Sequence, residues 1–386
     1  MERPKRILVY SEYWASWGGG EKYLLCCIET LIRSGYDVTL VAHGASLDKD
    51  ALSRFYEVSI EEAKIRFVPG SLNAVRSKAQ KMSAEFDVFM CITNYRFFRP
   101  GSRQTFVILQ IPYGPISLSS IIRKVWTGQA REAAKDVYRI QLLRSLRQTR
   151  TVLVYSKFVH DSLERIHGVQ SKILEPPIDD FAIDDIPKER IILSVGRFFR
   201  GLYNDKRYDF LIEAFKKLRE RLPNTSWTYH LVGSCGSDAG SQRYLEELRA
   251  SAKGHPIYFH VNSPYDELRR LYNQAEIFWH AAGHGVDEER YPERTEHFGM
   301  STVEAMSARC VPVVVNRGGQ KEIVSHGKSG YLWNTLNELL EHTTTLVHNP
   351  ERRHTMRQLA RERFLDFDRQ HFSERLLSLF KQLDPD

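Results

Sequence analysis

Two carboxylates eight positions apart, Glu296 and Glu304, bracket the run Glu-His-Phe-Gly-Met-Ser-Thr-Val-Glu. Carboxylates accept hydrogen bonds from sugar hydroxyls. On one unbroken helix the second would be turned roughly 80° from the first, so a loop that becomes a helix is needed to align them. Phe298-Gly299 breaks the regular backbone, and Ser301-Thr-Val-Glu304 reads as a capping box, which predicts a helix start near Ser301. The unpaired N–H groups of that start, at Met300 and Ser301, suit a phosphate. Glu296 before the anion site and Glu304 after it would then clasp a sugar, a diphosphate and a ribose in order. The residues alone leave a plainer alternative open, in which Glu304 caps its own helix and Glu296 is solvated.

Two further groups could work with this pair, the glycine loop and Arg197 with Lys206. Trp17-Gly-Gly-Gly20-Glu21 places Gly19 and Gly20 where backbone approaches a ligand closely and helix N–H groups can hold a phosphate. It is not G-x-G-x-x-G, which disfavours a nicotinamide cofactor, and its plainer reading is a turn needed for packing. Arg197 directly follows Gly196 at a strand end, and Lys206 stands just ahead of a helical pattern. Both are expected to project into a cleft and grip a diphosphate, at about 1.5–3 kcal/mol per charge-assisted hydrogen bond; the alternative is two solvated cations. His280 and His284 lack the glutamate of a zinc-protease helix, so no metal is expected and His280 reads as a core histidine. From Arg123 to Arg150 cations outnumber carboxylates beside Ile121, Ile122, Val125 and Trp126. A solvated helix face is the preferred reading there, contact with anionic lipid the alternative.

Elements must position these residues. At 386 residues the chain is natural for two domains. The net charge of +7 comes from scattered Lys and Arg without a nucleic-acid motif, so nucleic acid is not an expected partner. Five cysteines without C-x-x-C spacing fit a reducing cytoplasm. The short apolar run at residues 7–10 is too brief for a signal-peptide core, and no stretch reaches a membrane span; a soluble protein, or one resting on a membrane surface, is expected. Short apolar strands alternate with amphipathic helices through both halves, the signature of α/β sheets. A proline-rich acidic stretch over 175–187 reads as a linker. The expected domains are 1–183 and 184–369, with a closing amphipathic helix over about 370–386. Ligands of open parallel sheets sit beyond the carboxyl ends of strands.

Gly196-Arg197 with Lys206, Leu231-Val-Gly233, Glu296 to Glu304, Val311-Pro-Val-Val-Val315, Gly318-Gly319 with Glu322, and Gly330-Tyr-Leu332 stand in an order that resembles glycosyltransferase family 4. The glycine loop and Pro176-Pro-Ile-Asp179 extend the likeness over nearly the whole chain. The resemblance implies a GT-B fold, two Rossmann-like domains facing each other across a cleft. It implies a retaining transferase that takes a nucleotide-diphosphate sugar as donor, needs no metal or other cofactor, and serves a carbohydrate or lipid-linked acceptor. Arg197 and Lys206 would bind the diphosphate, Glu296 the donor sugar and Glu304 the ribose, while the closing helix returns to the first domain. Two departures stand out. Residues 283–294 are an insertion, expected as an acceptor-facing lid, and at Gln110-Ile-Pro-Tyr113 Gln110 or Tyr113 replaces an acceptor-side histidine. A non-catalytic nucleotide-sugar binding subunit and a GT-B epimerase are the alternative functions.

Overall fold

Apolar runs too continuous for a half-exposed sheet predict strands covered on both faces, and two all-parallel sheets result. The computed structural model describes residues 3–383 apart from 13, 15, 45, 46, 95 and 202–204. The chain divides into two units, residues 1–177 with 369–386 and residues 178–368. The first holds β1 (Arg6–Ser11), β2 (Asp37–His43), β3 (Lys64–Val68), β4 (Val88–Ile92), β5 (Gln104–Ile108), β6 (Thr151–Val154) and β7 (Lys172–Ile173). Their order is β3-β2-β1-β4-β5-β6-β7. The second holds β8 (Glu189–Val195), β9 (Thr228–Gly233), β10 (Ile257–Val261), β11 (Ala275–His280), β12 (Val311–Val315) and β13 (Tyr331–Trp333), ordered β10-β9-β8-β11-β12-β13.

Both orders reverse direction once, between β1 and β4 and between β8 and β11. Such switch points open a crevice at the carboxyl ends of the strands. The glycine loop follows β1 in the first unit. In the second, Gly196-Arg197 follows β8, and His280 is the last residue of β11.

The division falls six residues earlier than 183/184. Residues 178–183 are tied into the second unit: Ile178 N–H donates to Phe367 O, Phe181 N–H to Ser307 Oγ, and Ile183 N–H to Asn273 Oδ1. The closing helix Arg369–Leu383 packs in the first unit, with Phe372 edge-on to Tyr23 and Phe380 stacked on Phe106 at 4.2 Å. The last three residues of the expected helix, 384–386, lie outside the described ones. The cation-rich stretch is two helices, Leu118–Trp126 and Ala130–Leu146, broken at Gly128, whose φ of 74° stops the first.

Candidate functional site

At the end of β8 the chain must turn away without a side chain in the crevice. A Cβ on Gly196 would lie 2.8 Å from both Cγ and Cε of Lys206, and one on Gly233 only 1.7 Å from Gly196 O. These glycines let Lys206 cross the strand end. Tyr208 Oη, at the start of the helix Tyr208–Arg221, donates to Gly196 O at 2.9 Å and fixes the turn. Arg197 is exposed, and its guanidinium has no hydrogen-bond or ion-pair partner among the described residues. A cation beside a switch point with no partner among the described residues is available to an anion.

Lys206, Glu296 and His280 meet at the end of β11. Lys206 Nζ donates to Glu296 Oε2 at 2.5 Å, and His280 Nε2 lies 3.0 Å from the same oxygen. Gln320 Nε2 is 3.2 Å from His280 Nδ1. With a carboxylate on Nε2 and an amide donor on Nδ1, the ring is the neutral Nε2–H tautomer. Burial pushes the Glu296 carboxyl up, but the Lys206 ammonium and the His280 hydrogen bond overcome it and hold the group well below the usual carboxylate range. Burial, then the Lys206 charge, lowers His280 against the opposing pull of Glu296. Glu296 is therefore anionic and His280 neutral at neutral pH. His280 is the satisfied core histidine expected from sequence, 3% exposed with both ring nitrogens partnered, and one of those partners is the site carboxylate Glu296. His284 faces elsewhere, its ring 4.2 Å from Phe210. Among the described residues no group of three or more His, Cys, Asp or Glu is placed to hold a metal ion.

Gly318 and Gly319 set the backbone of Glu296. A Cβ on Gly318 would sit 2.1 Å from Glu296 O, and Gly319 N–H donates to that oxygen at 2.8 Å. The insertion is bound down beside them, because Glu288 accepts from Gly318 N–H at 2.8 Å and from Lys321 Nζ at 2.7 Å.

The helix after Glu296 runs Met300–Ser307, with Gly299 as its N-cap at φ 122°. The expected capping box does not form. Ser301 is inside the first turn rather than at the cap, and no side chain caps the helix. A Cβ on Gly299 would meet Gln320 Nε2 at 2.9 Å, so only glycine admits both this φ and this neighbour. The half-buried Met300 and Ser301 open the helix. Glu304 is drawn to another partner, Tyr272 Oη, which donates to its Oε2 at 2.8 Å. The buried Gln320 keeps Oε1 without a partner among the described residues.

In the first unit the glycine loop and Gln110 do meet. The helix Gly19–Arg33 starts without a side-chain cap, and a Cβ on Gly20 would lie 2.4 Å from Gln110 Nε2. Gln110 is held by Asn94 and by Tyr155 Oη, to which it donates at 2.5 Å. Tyr113 is corrected. It is 2% exposed, its hydroxyl donates to Asn94 O and its own carbonyl accepts from His167 Nε2, so it is a core residue and offers nothing to an acceptor. Glu21 was not singled out for a role by sequence. Buried at the helix start, it accepts from Trp17 N–H at 2.9 Å and Tyr56 Oη at 2.8 Å, so a carboxylate already lies at this N-terminus.

A family model described as glycosyl transferases group 1 matches residues 178–363. A GDP-Man:Man(3)GlcNAc(2)-PP-Dol alpha-1,2-mannosyltransferase of Dictyostelium discoideum is 28% identical over 240 residues, covering 58% of this chain and 45% of that protein. The chain thus spans less than half the length of this curated relative. Among solved structures, a glycosyltransferase from Rickettsia africae matches with a TM-score of 0.70 at 15% identity, over 100% of both chains. Anabaena Alr3699/HepE in complex with UDP and glucose matches with a TM-score of 0.68 at 15% identity, over 98% of this chain and 100% of that one. At such identity these likenesses establish the fold, two parallel-sheet α/β domains of the GT-B type.

Proposed function

Because residues 178–363 belong to the group 1 glycosyltransferases, we propose that the chain moves a sugar from a nucleotide-diphosphate donor to an acceptor hydroxyl, with retention at the anomeric carbon. The observation that carries this reading is Arg197, without a side-chain partner among the described residues, beside the half-buried Lys206 and the buried Glu296 and His280 at one switch point. Lys206 has three N–H donors. One goes to Glu296, which aims the ammonium and leaves two for phosphate oxygens. The leaving diphosphate gathers charge as the glycosidic bond breaks, and fixed cations stabilise it most at that moment. Glu296, kept ionised, accepts from donor-sugar hydroxyls. Glu304, oriented by Tyr272, accepts from the ribose, and the amides of Met300 and Ser301 face the diphosphate.

The acceptor is a carbohydrate or a lipid-linked glycan, met from the cytoplasmic side at a membrane surface, in glycan, polysaccharide or glycolipid synthesis. The relative named for GDP-Man is nearer in sequence than the structure bound to UDP, so GDP-mannose is the first donor to test. A donor present at 100 times its Kd adds about 2.7 kcal/mol of stability, enough to stand out in a thermal-shift panel against UDP-sugars.

Arg197→Ala is the decisive variant. Its side chain is exposed, so the fold and Tm should hold, while turnover falls by about 10²–10³. Near-normal transfer by the folded variant would remove the assignment.

A further inference from the structure

The helix Leu118–Trp126 has its polarity inverted. None of its residues is buried. Leu118 is 73% exposed, Ile122 49%, Val125 56% and Trp126 86%, and their spacing of four, seven and eight residues gathers them into one stripe about 100° wide. In a surface helix that stripe normally faces the core. Here a side-chain link to the following helix is polar, through Lys124 and the buried Asp136.

Charge identifies what covers the stripe. Over residues 118–146 six cations stand against two carboxylates. Both carboxylates are neutralised internally, Asp136 by Lys124 and Arg139, Glu132 by Lys135. Arg123, Arg131 and Arg144 have no carboxylate partner among the described residues. Trp126 and Arg131 flank the turn that closes with Gln129 N–H donating to Lys124 O and Gly128 N–H to Val125 O. A second copy of the chain would set these same cations against each other. An anionic bilayer accepts both halves of the surface, its acyl boundary the stripe and its phosphates the guanidinium groups.

We propose that the hairpin of Leu118–Trp126 and Ala130–Leu146 docks the protein on anionic lipid. At nine residues, about 14 Å, the first helix lies in the interface rather than across it, and no helix among the described residues is long and apolar enough to cross a membrane. The exposed apolar stripe supports the lipid-contact alternative over the solvated face preferred from sequence. The inference rests on the proposed membrane-surface acceptor only for its purpose, because docking needs neither donor nor acceptor.

The full chain should co-sediment with vesicles of phosphatidylcholine and phosphatidylglycerol, much less with phosphatidylcholine alone, and less as salt rises. I122S/V125S/W126S and, separately, R123E/R131E should each weaken binding by about tenfold or more, whereas R123K/R131K should retain it. Tm, and transfer to a water-soluble acceptor, should be unchanged in all three. Failure to bind anionic vesicles, equal binding by the variants, or a concentration-dependent dimer abolished by the apolar triple would each overturn the proposal. If transfer itself is absent while vesicle binding holds, the catalytic reading fails and the docking surface stands.

Discussion

Glu296 aims Lys206 and, in the proposed reaction, presents an anion to the sugar; against its burial, the Lys206 ammonium first and the His280 hydrogen bond after it keep the carboxylate ionised. Removing the histidine takes away a hydrogen bond to a charged group, worth about 1.5–3 kcal/mol, or one to two pH units of Glu296 ionisation. His280→Ala should therefore move the acid limb of the kcat/KM profile to higher pH, and His280→Gln, which keeps an amide donor, should move it less. An unmoved limb in both variants would reduce His280 to packing. The stability signs follow. Glu296 is depressed in the folded state, so its contribution is present above the unfolded value near 4.3 and is lost as pH falls through the folded value. His280 is also lowered, so the unfolded chain takes its proton first and stability declines as pH drops below about 6.5. Of this cluster the sequence exposed Lys206 and Glu296 through type and order. It placed His280 in the core, where the residue lies, but did not show that its partner is Glu296, sixteen positions away. The available signal was that a polar residue ended a buried strand at a switch point.

Between elements, the site depends on backbones that come closer than any side chain permits. Gly318 is the clearest case, since its φ of 59° is left-handed and its missing Cβ leaves room for Glu296 O. Gly285 separates the two demands, with a φ of 76° and open space around it. Gly285→Ala should cost about 1–2 kcal/mol, the left-handed penalty alone. Gly318→Ala adds the clash, and should cost about 3 kcal/mol or more by urea unfolding or displace Glu296 and abolish turnover. Equal modest effects of the two would show that the 318–319 loop gives way freely. Strands and long helices were legible in the sequence because burial on both faces and the 3.6-residue period leave a pattern. Termini were less so. Ser301-Thr-Val-Glu304 has the letters of a capping box, yet Gly299 takes the cap and Tyr272 takes the glutamate, a competition settled by a residue distant in the chain. Tyr113 misled for the same reason, its partners Asn94 and His167 being invisible to local spacing.

Across the whole molecule, the chain leaves the first unit at residue 177 and re-enters it at 369, so the second unit is inserted within the first. Each unit has its own sheet and core, and each should respond to its own perturbation. Phe380 is 3% exposed, stacked on Phe106 and edge-on to Tyr36, and it belongs to the first unit although it lies near the C-terminal end. Phe380→Ala should cost about 3–5 kcal/mol, all of it in the unit built on β1 to β7. A nucleotide-sugar donor should stabilise the other unit, where Lys206, Glu296 and Glu304 lie, by RT ln(1 + [L]/Kd). Calorimetry of the variant should then show two transitions where two-state behaviour fails, the lower one moved by the mutation and the upper one by the donor. Urea unfolding followed by hydrogen exchange assigns each transition to its strands. If mutation and donor shift one indivisible transition together, the units unfold as a single cooperative body, and the donor's binding energy stabilises the β1 to β7 sheet as strongly as the β8 to β13 sheet.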